Sequence, residues 1–256
     1  MTRLLLVLIA LLLALPIAIG HSQTQNTPQS GVVRLRARVK LNDSASSRGL
    51  ARKRFFLIHG SLEQNRALVD AIERQPLVTR DCYYTKNGAS AALIEWLKET
   101  DCESVYCRDV EQDSIAGPKA VPEFATAFTA SEKEFGNAAT ARKWLTTNLS
   151  PNLRDGFYRD RKGAIDALLK QAQASGTVQS VMTDRNGTAL FTDLTPGAYV
   201  ITNLIPTELG QSLATWNCEL QIKPDDLASE KAYLISNRKD RLVKCVAIEK
   251  PAPPCQ

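Results

Sequence analysis

Between Val33 and Leu41 apolar and charged residues alternate without a break. Val33, Leu35, Ala37, Val39 and Leu41 fall on one parity, Arg34, Arg36, Arg38 and Lys40 on the other. Successive strand side chains point to opposite faces, so this period of two predicts a strand over 32–41 with one face on a core and the other in water. A turn-rich stretch, NDSASSRG, leads into ARKRFFLIHG, a second strand built on Phe55, Phe56, Leu57 and Ile58.

From residue 61 the spacing becomes helical. Ser61-Leu62-Glu63-Gln64 is a capping box, with a serine oxygen able to accept from the backbone three residues on and a glutamine able to reach back. It predicts a helix from 62 to about 75, with Leu62, Leu68, Val69 and Ile72 as its apolar stripe and Pro76 as its stop. Further helices are predicted in SAALIEWLKET, from Pro122, in AATARKWLTTNL behind the cap Asn137, and from Ser150-Pro151 through Phe157, Ile165, Leu168 and Leu169 to Gly176. The prediction is a block of five helices over 61–175.

Beyond 176 the period of two returns. In TDRNGTALFTDLTPGAYVI, Asn186-Gly187 predicts a tight hairpin and Pro196-Gly197 a type II turn, with Ala189, Phe191, Leu194, Tyr199 and Ile201 turned inward. WNCELQIK places Trp216, Cys218, Leu220 and Ile222 on one face. RLVKCVAIE is apolar on both parities, as in a strand covered on two sides, one of them by the helical block. PAPPCQ, residues 251–256, reads as a stiff arm laid across another surface. No period of repeat-protein length recurs.

The order T-D-x-x-G-x-(apolar)-x-F-x-x-L-x-P-G-x-Y-x-(apolar), carried by Thr183, Asp184, Gly187, Phe191, Leu194, Pro196, Gly197, Tyr199 and Ile201, resembles the carboxypeptidase regulatory-like domain. That resemblance implies a prealbumin-like β-sandwich, often grouped with carbohydrate-binding-like folds; it covers 183–201 and implies no particular activity. Because the first strands stand at 32–59, the expected fold is α+β: one antiparallel sandwich from 32–60 and 176–250, interrupted between its second and third strands by helices 61–175. A strand with an apolar face needs partners, and a lone hairpin is marginal in water. The related Cna-B-like repeats form a lysine–asparagine isopeptide promoted by an acid in G-x-Y-x-L-x-E. Here Asn203 stands at the acid's place, so no isopeptide is expected.

The amino terminus adds a compartment. MTR precedes a 16-residue apolar run, LLLVLIALLLALPIAI, and a small-residue exit at Gly20. This is the pattern of a secretory signal peptide over 1–20, followed by a polar leader, HSQTQNTPQSG, over 21–31. An uncleaved anchor is the alternative, but the run falls short of the roughly 20 residues a bilayer core asks for. No transmembrane span is predicted in the mature chain, which is expected to be secreted or periplasmic.

Six cysteines in an exported chain read as disulfide partners. Cys82, Cys102 and Cys107 lie mid-chain and Cys218, Cys245 and Cys255 near the end, so full oxidation requires at least one bridge between the groups. The expected set joins Cys218 to Cys245, two of the middle three to each other, and Cys255 to the third. Spacing does not fix connectivity, and a free or intermolecular Cys255 is the alternative. Without a histidine nearby, Cys102 and Cys107 do not read as metal ligands.

Chemistry is sparse. Of two histidines, His21 stands at the cleavage junction and His59 at a strand end; Ser61 beside it reads as a helix cap, so no catalytic residue is assigned. Glu95, Glu99, Asp101, Glu103, Asp109, Glu111 and Asp113 would suit a paired-acid hydrolase, but such density more often marks solvated helix faces. Asp109, Glu111 and Asp113 alternate like calcium ligands without completing a known loop, and no metal or cofactor is expected. Trp96, Trp144 and Trp216 are each expected in a core.

Charge is unevenly placed: residues 32–58 carry eight cations against Asp43, whereas everything after 58 is net acidic. Arg34, Arg36, Arg38, Lys40, Arg52 and Arg54 form a candidate strip for an anionic ligand. The plain alternative is a solvated sheet face whose charges discourage edge pairing, and acids of the helical block lying against the strip are a third reading. The expectation is a non-enzymatic binding or adhesion module of the cell envelope, contacting an anionic polysaccharide or envelope protein and not nucleic acid. A hydrolase using acids of the insertion, and a purely structural envelope protein, are the alternatives.

Overall fold

The computed structural model describes residues 30–40, 46–173, 176–229, 232–236 and 244–255. The predicted signal peptide and nearly all of the predicted leader lie outside these, and β1 begins at Gly31, the last residue assigned to that leader. The fold is α+β with two sheets. In the first, β1 (Gly31–Val39) pairs antiparallel with β5 (Thr188–Leu194) and the two-residue β2 (Arg48–Gly49), and parallel with β9 (Ala232–Ser236). The second runs β10 (Lys244–Pro251), β8 (Ser212–Ile222), β6 (Gly197–Thr202), β3 (Arg54–His59), β4 (Val178–Met182), with β7 (Thr207–Leu209) also on β8.

Period two decides what lies between the sheets. Val33, Leu35, Ala37 and Val39 from β1 share one buried cluster with Phe191, Tyr199, Ile201, Trp216, Cys218 and Leu220. Strands on either side of the helical block therefore bury a common apolar layer, and β1 and β3 both pair with strands beyond residue 176. Two elements beyond β8 were not predicted. The short helix α8 (Pro224–Ala228) and β9 carry the chain from the end of β8 in the second sheet back to β1 in the first, where β9 runs parallel to β1.

The hairpin predicted at Asn186-Gly187 is a different turn. β4 pairs with β3 in one sheet and β5 with β1 in the other, so residues 184–187 carry the chain between sheets. Only Gly187 has positive φ, at +78°, and Asp184 organises the turn by accepting from the amides of Asn186 and Thr188, each at 2.8 Å. The Gly187 carbonyl accepts from the Ala37 amide at 2.7 Å, and a Cβ at Gly187 would strike the Ala37 carbonyl oxygen. Packing of the corner against β1, rather than strand pairing, fixes this glycine.

The helical block holds seven α-helices among the described residues instead of the predicted five: α1 (Arg66–Glu73), α2 (Arg80–Lys86), α3 (Ala91–Glu99), α4 (Gln112–Ala116), α5 (Pro122–Phe135), α6 (Ala138–Trp144) and α7 (Phe157–Gln173). The two additions, α2 and α4, are too short to show a sustained apolar stripe. Asn137 caps as predicted, accepting from Thr140, and Ser90 caps α3, accepting from Leu93. The Ser61 capping box also forms, with Ser61 N donating to Gln64 Oε1 at 2.8 Å and Gln64 N to Ser61 Oγ at 3.2 Å. Regular helix starts later, at Arg66, because this turn is tied down: Leu62 N donates to the Glu219 carboxylate, and Asn65 Nδ2 to the His59 and Ser61 carbonyls.

The block has its own core, including Tyr84, Leu93, Trp96, Leu97, Phe124, Leu145 and Phe157. A third cluster joins the two units: Phe56 and Ile58, on the outer face of the second sheet, pack with Leu68 and Ile72 of α1 and Leu168 and Ala172 of α7. Ile58 pairs with Val178, so the chain leaves and re-enters the sheet at neighbouring strand ends.

All six cysteines are paired, Cys82–Cys255, Cys102–Cys107 and Cys218–Cys245. Cys218 and Cys245 are cross-strand partners on β8 and β10. Cys255 ties the chain's end to α2, and Pro251 belongs to β10 rather than to the tail. Among the described residues no helix is long and apolar enough to cross a membrane.

Candidate functional site

The parity that buries Val33, Leu35 and Ala37 turns Arg34, Arg36 and Arg38 to the opposite face of the first sheet. On one strand these positions stand about 6.5–7 Å apart. Arg34 and Arg36 are exposed; Arg38 is half-buried, its guanidinium donating to the Ser47 hydroxyl at 3.2 Å and carbonyl at 2.8 Å. Strand pairing extends the face, bringing Leu190 and Ala232 beside Arg34 and Thr188 and Leu234 beside Arg36. Leu190 is 48% exposed, so the face combines a cation row with an apolar neighbour. That leucine was legible as the odd position between the buried Ala189 and Phe191.

The candidate strip does not form one surface. Arg54 lies on the parity of Phe56 and Ile58, facing away from the common core on the second sheet, where its guanidinium reaches Ser180 Oγ at 3.5 Å. Arg52 sits in the turn before β3 with φ of +54°, and half-buried Lys40 follows the end of β1. Sequence proximity had grouped cations that the two sheets then separate. Lys53, in the same cation-rich segment, pairs with Asp101 of the insertion, a contact of the kind the third reading describes.

The acids of the block are dispersed. Asp101 also meets Arg80, Glu103 meets Arg161 at 3.1 Å, and Glu99 takes Arg108 at 2.8 Å. The Arg108 hydrogen bond holds the Glu99 carboxyl below the usual carboxylate range. Glu95 is exposed on α3. Asp109, Glu111 and Asp113 do not converge, and no group of three potential ligands that could hold a metal is found among the described residues.

His59 ends β3, exposed, with its ring edge-on to Tyr199 at 5.3 Å, while Ser61 serves its cap. Asn203, at the acid's place in the isopeptide pattern, is a bracket: its amide donates to Thr207 Oγ1 and the Ala214 carbonyl and accepts from Trp216 N, each at 3.0 Å. Trp96 and Trp216 are buried as expected, but Trp144 is 48% exposed. Ala141 and Leu145 take the inward positions there, and the helix tightens into a 3₁₀ turn just after Trp144. Two core tyrosines have hydroxyls pushed above their usual range, chiefly by burial: Tyr84, which donates to the Glu103 carbonyl, and Tyr233, which donates to the Asp226 carboxylate at 3.0 Å.

Comparison with protein-family models, curated proteins and solved structures finds no match to this chain.

Proposed function

We propose that this protein is an exported, non-enzymatic binding module of the cell envelope whose two sheets form a prealbumin-like sandwich and whose contact surface is the arginine face of β1. The partner is an anionic polymer, an acidic polysaccharide foremost. One observation carries the reading: Arg34, Arg36 and Arg38 project at a regular repeat from a sheet face that stays exposed beside Leu190, while the opposite face of the second sheet is roofed by helices. Repeated cations on a rigid strand suit a polymer with repeated charge, because the side chains are spaced before the ligand arrives.

The test is salt-gradient elution of the mature protein from heparin and from purified acidic cell-wall polymer. Retention is expected, weakening as salt screens the contact. The triple variant Arg34→Ser, Arg36→Ser, Arg38→Ser is expected to flow through, whereas Arg52→Ser with Arg54→Ser elutes close to the parent. Absent or salt-insensitive retention, or equal loss in both variants, rejects the arginine face as the contact.

A further inference from the structure

A second site stands in the helical block, far along the chain from the arginine face. A cleft of about 480 Å³ opens between the segment after α3 and the end of α6, within the size range of small-molecule sites. Tyr106, Arg108, Asp109, Glu111, Arg142 and Lys143 supply its functional groups, over a base that includes Val105 and Val110, both buried. The Cys102–Cys107 disulfide pins the short turn bearing Tyr106. Arg108 is fixed by the Trp96 carbonyl at 2.6 Å, the Glu99 carboxylate and the Trp96 ring, 4.1 Å from its guanidinium carbon; its Nε is buried without a hydrogen-bond partner.

Four charges of this cleft, beside the paired Arg108, are left open. Asp81, Glu99, Asp101, Glu103 and Asp155 are each taken by a cation. Among the described residues, by contrast, Asp109 and Glu111 form no ion pair with Arg142 or Lys143 although all four line one cleft. Unpaired groups of both signs, held apart across one opening, match a ligand that offers an acid to the cations and hydroxyls to the carboxylates. Tyr106, 55% exposed, offers an aromatic face at the rim, as the C–H face of a sugar ring requires. A free amino acid would use both charges but leave the exposed ring without a partner.

We infer that this cleft binds an acidic sugar unit, its carboxylate on Arg142 and Lys143, its hydroxyls on Asp109 and Glu111, and its ring on Tyr106. The inference stands independently of the arginine face, and the two sites separate by experiment. Titration of the intact, oxidised protein with glucuronic and galacturonic acid, followed by amide and tryptophan side-chain NMR shifts, is expected to give saturable changes centred on residues 105–111 and 139–146. Glucose and galactose are expected to bind at least about tenfold more weakly, the loss of one charge-assisted interaction. Arg142→Ala and Tyr106→Ala each weaken uronic-acid binding about tenfold or more; both positions are exposed, and an unchanged thermal midpoint verifies folding. The Arg34→Ser, Arg36→Ser, Arg38→Ser variant keeps the uronic-acid response even if it loses polymer retention. No saturable shift with either acid, equal binding of the neutral sugars, or an unaltered response in the Arg142 and Tyr106 variants overturns the assignment.

Discussion

The sheets and the helical block solve the same problem, burying an apolar layer, in opposite ways. The sheet core draws Val33 and Phe55 from one end of the chain and Phe191, Trp216 and Ile235 from the other, so none of it closes until the ends meet. The helical core takes all its buried residues from a single stretch, Tyr84 to Phe157. Local contacts form at little loop-closure cost and distant ones at more, so the block is the part able to organise on its own and the sheets are the part that waits. Their coupling runs through the Phe56–Leu168 cluster and the Cys82–Cys255 disulfide.

Four experiments break or sharpen this contrast. The largest effect is expected from Cys82→Ser with Cys255→Ser, whose bridge spans a sequence separation of 173, against 5 for Cys102–Cys107. The chain-entropy relation gives about 5 kcal/mol for the long loop and about 2 kcal/mol for the short one, as ceilings. Urea denaturation of each double-serine variant should rank them in that order, and the reverse ranking would show that the tail bridge does not couple the units.

Next, Trp216→Ala empties the centre of the sheet core and is expected to cost about 3–5 kcal/mol. Native-state hydrogen exchange should then show β6 and β8 amides opening while those of α3 and α5 stay protected. Simultaneous loss in both places would make the protein one cooperative unit. A smaller effect, about 1 kcal/mol, is expected from Asn137→Ala, which removes the cap on α6 and should speed exchange only around Ala138–Trp144.

The last difference is silent at neutral pH. Tyr84 and Tyr233 have folded-state hydroxyl pKa values above the unfolded value of about 10. Their contribution is therefore complete below about pH 10 and declines as pH rises beyond it, because the unfolded chain gives up those protons first. Tyr233→Phe should flatten the alkaline loss for the sheets and Tyr84→Phe for the block, read as denaturation midpoints from pH 8 to 11. An unchanged alkaline slope in both would remove these tyrosines from the account.

Legibility followed the reach of the forces involved. The strands at 32–41 and 216–223, the caps at Ser61 and Asn137, and the start at Pro122 depend on neighbours within a few residues, and all were readable. Helices α2 and α4 and strand β9 were not, being too short for periodicity to register. The inter-sheet corner was misread because Asn-Gly carries the same local preference whether the flanking strands pair with each other or with strands from elsewhere. The cation strip failed for a related reason: Arg38 and Arg54 are close in sequence, yet they belong to strands in different sheets.

By itself, the sequence determined which side of β1 is buried and where the turn that opens the helical block stands, since side-chain period and capping are properties of the local chain. Only the tertiary structure decided which strands are neighbours, that Cys255 returns to Cys82, and which charged groups line one cleft. The disulfide and the pairing of β1 and β3 with strands beyond residue 176 rest on contacts across more than a hundred residues, and the cleft on two separate segments of the block, so the energy gained depends on every element fitting at once rather than on any one segment's preference.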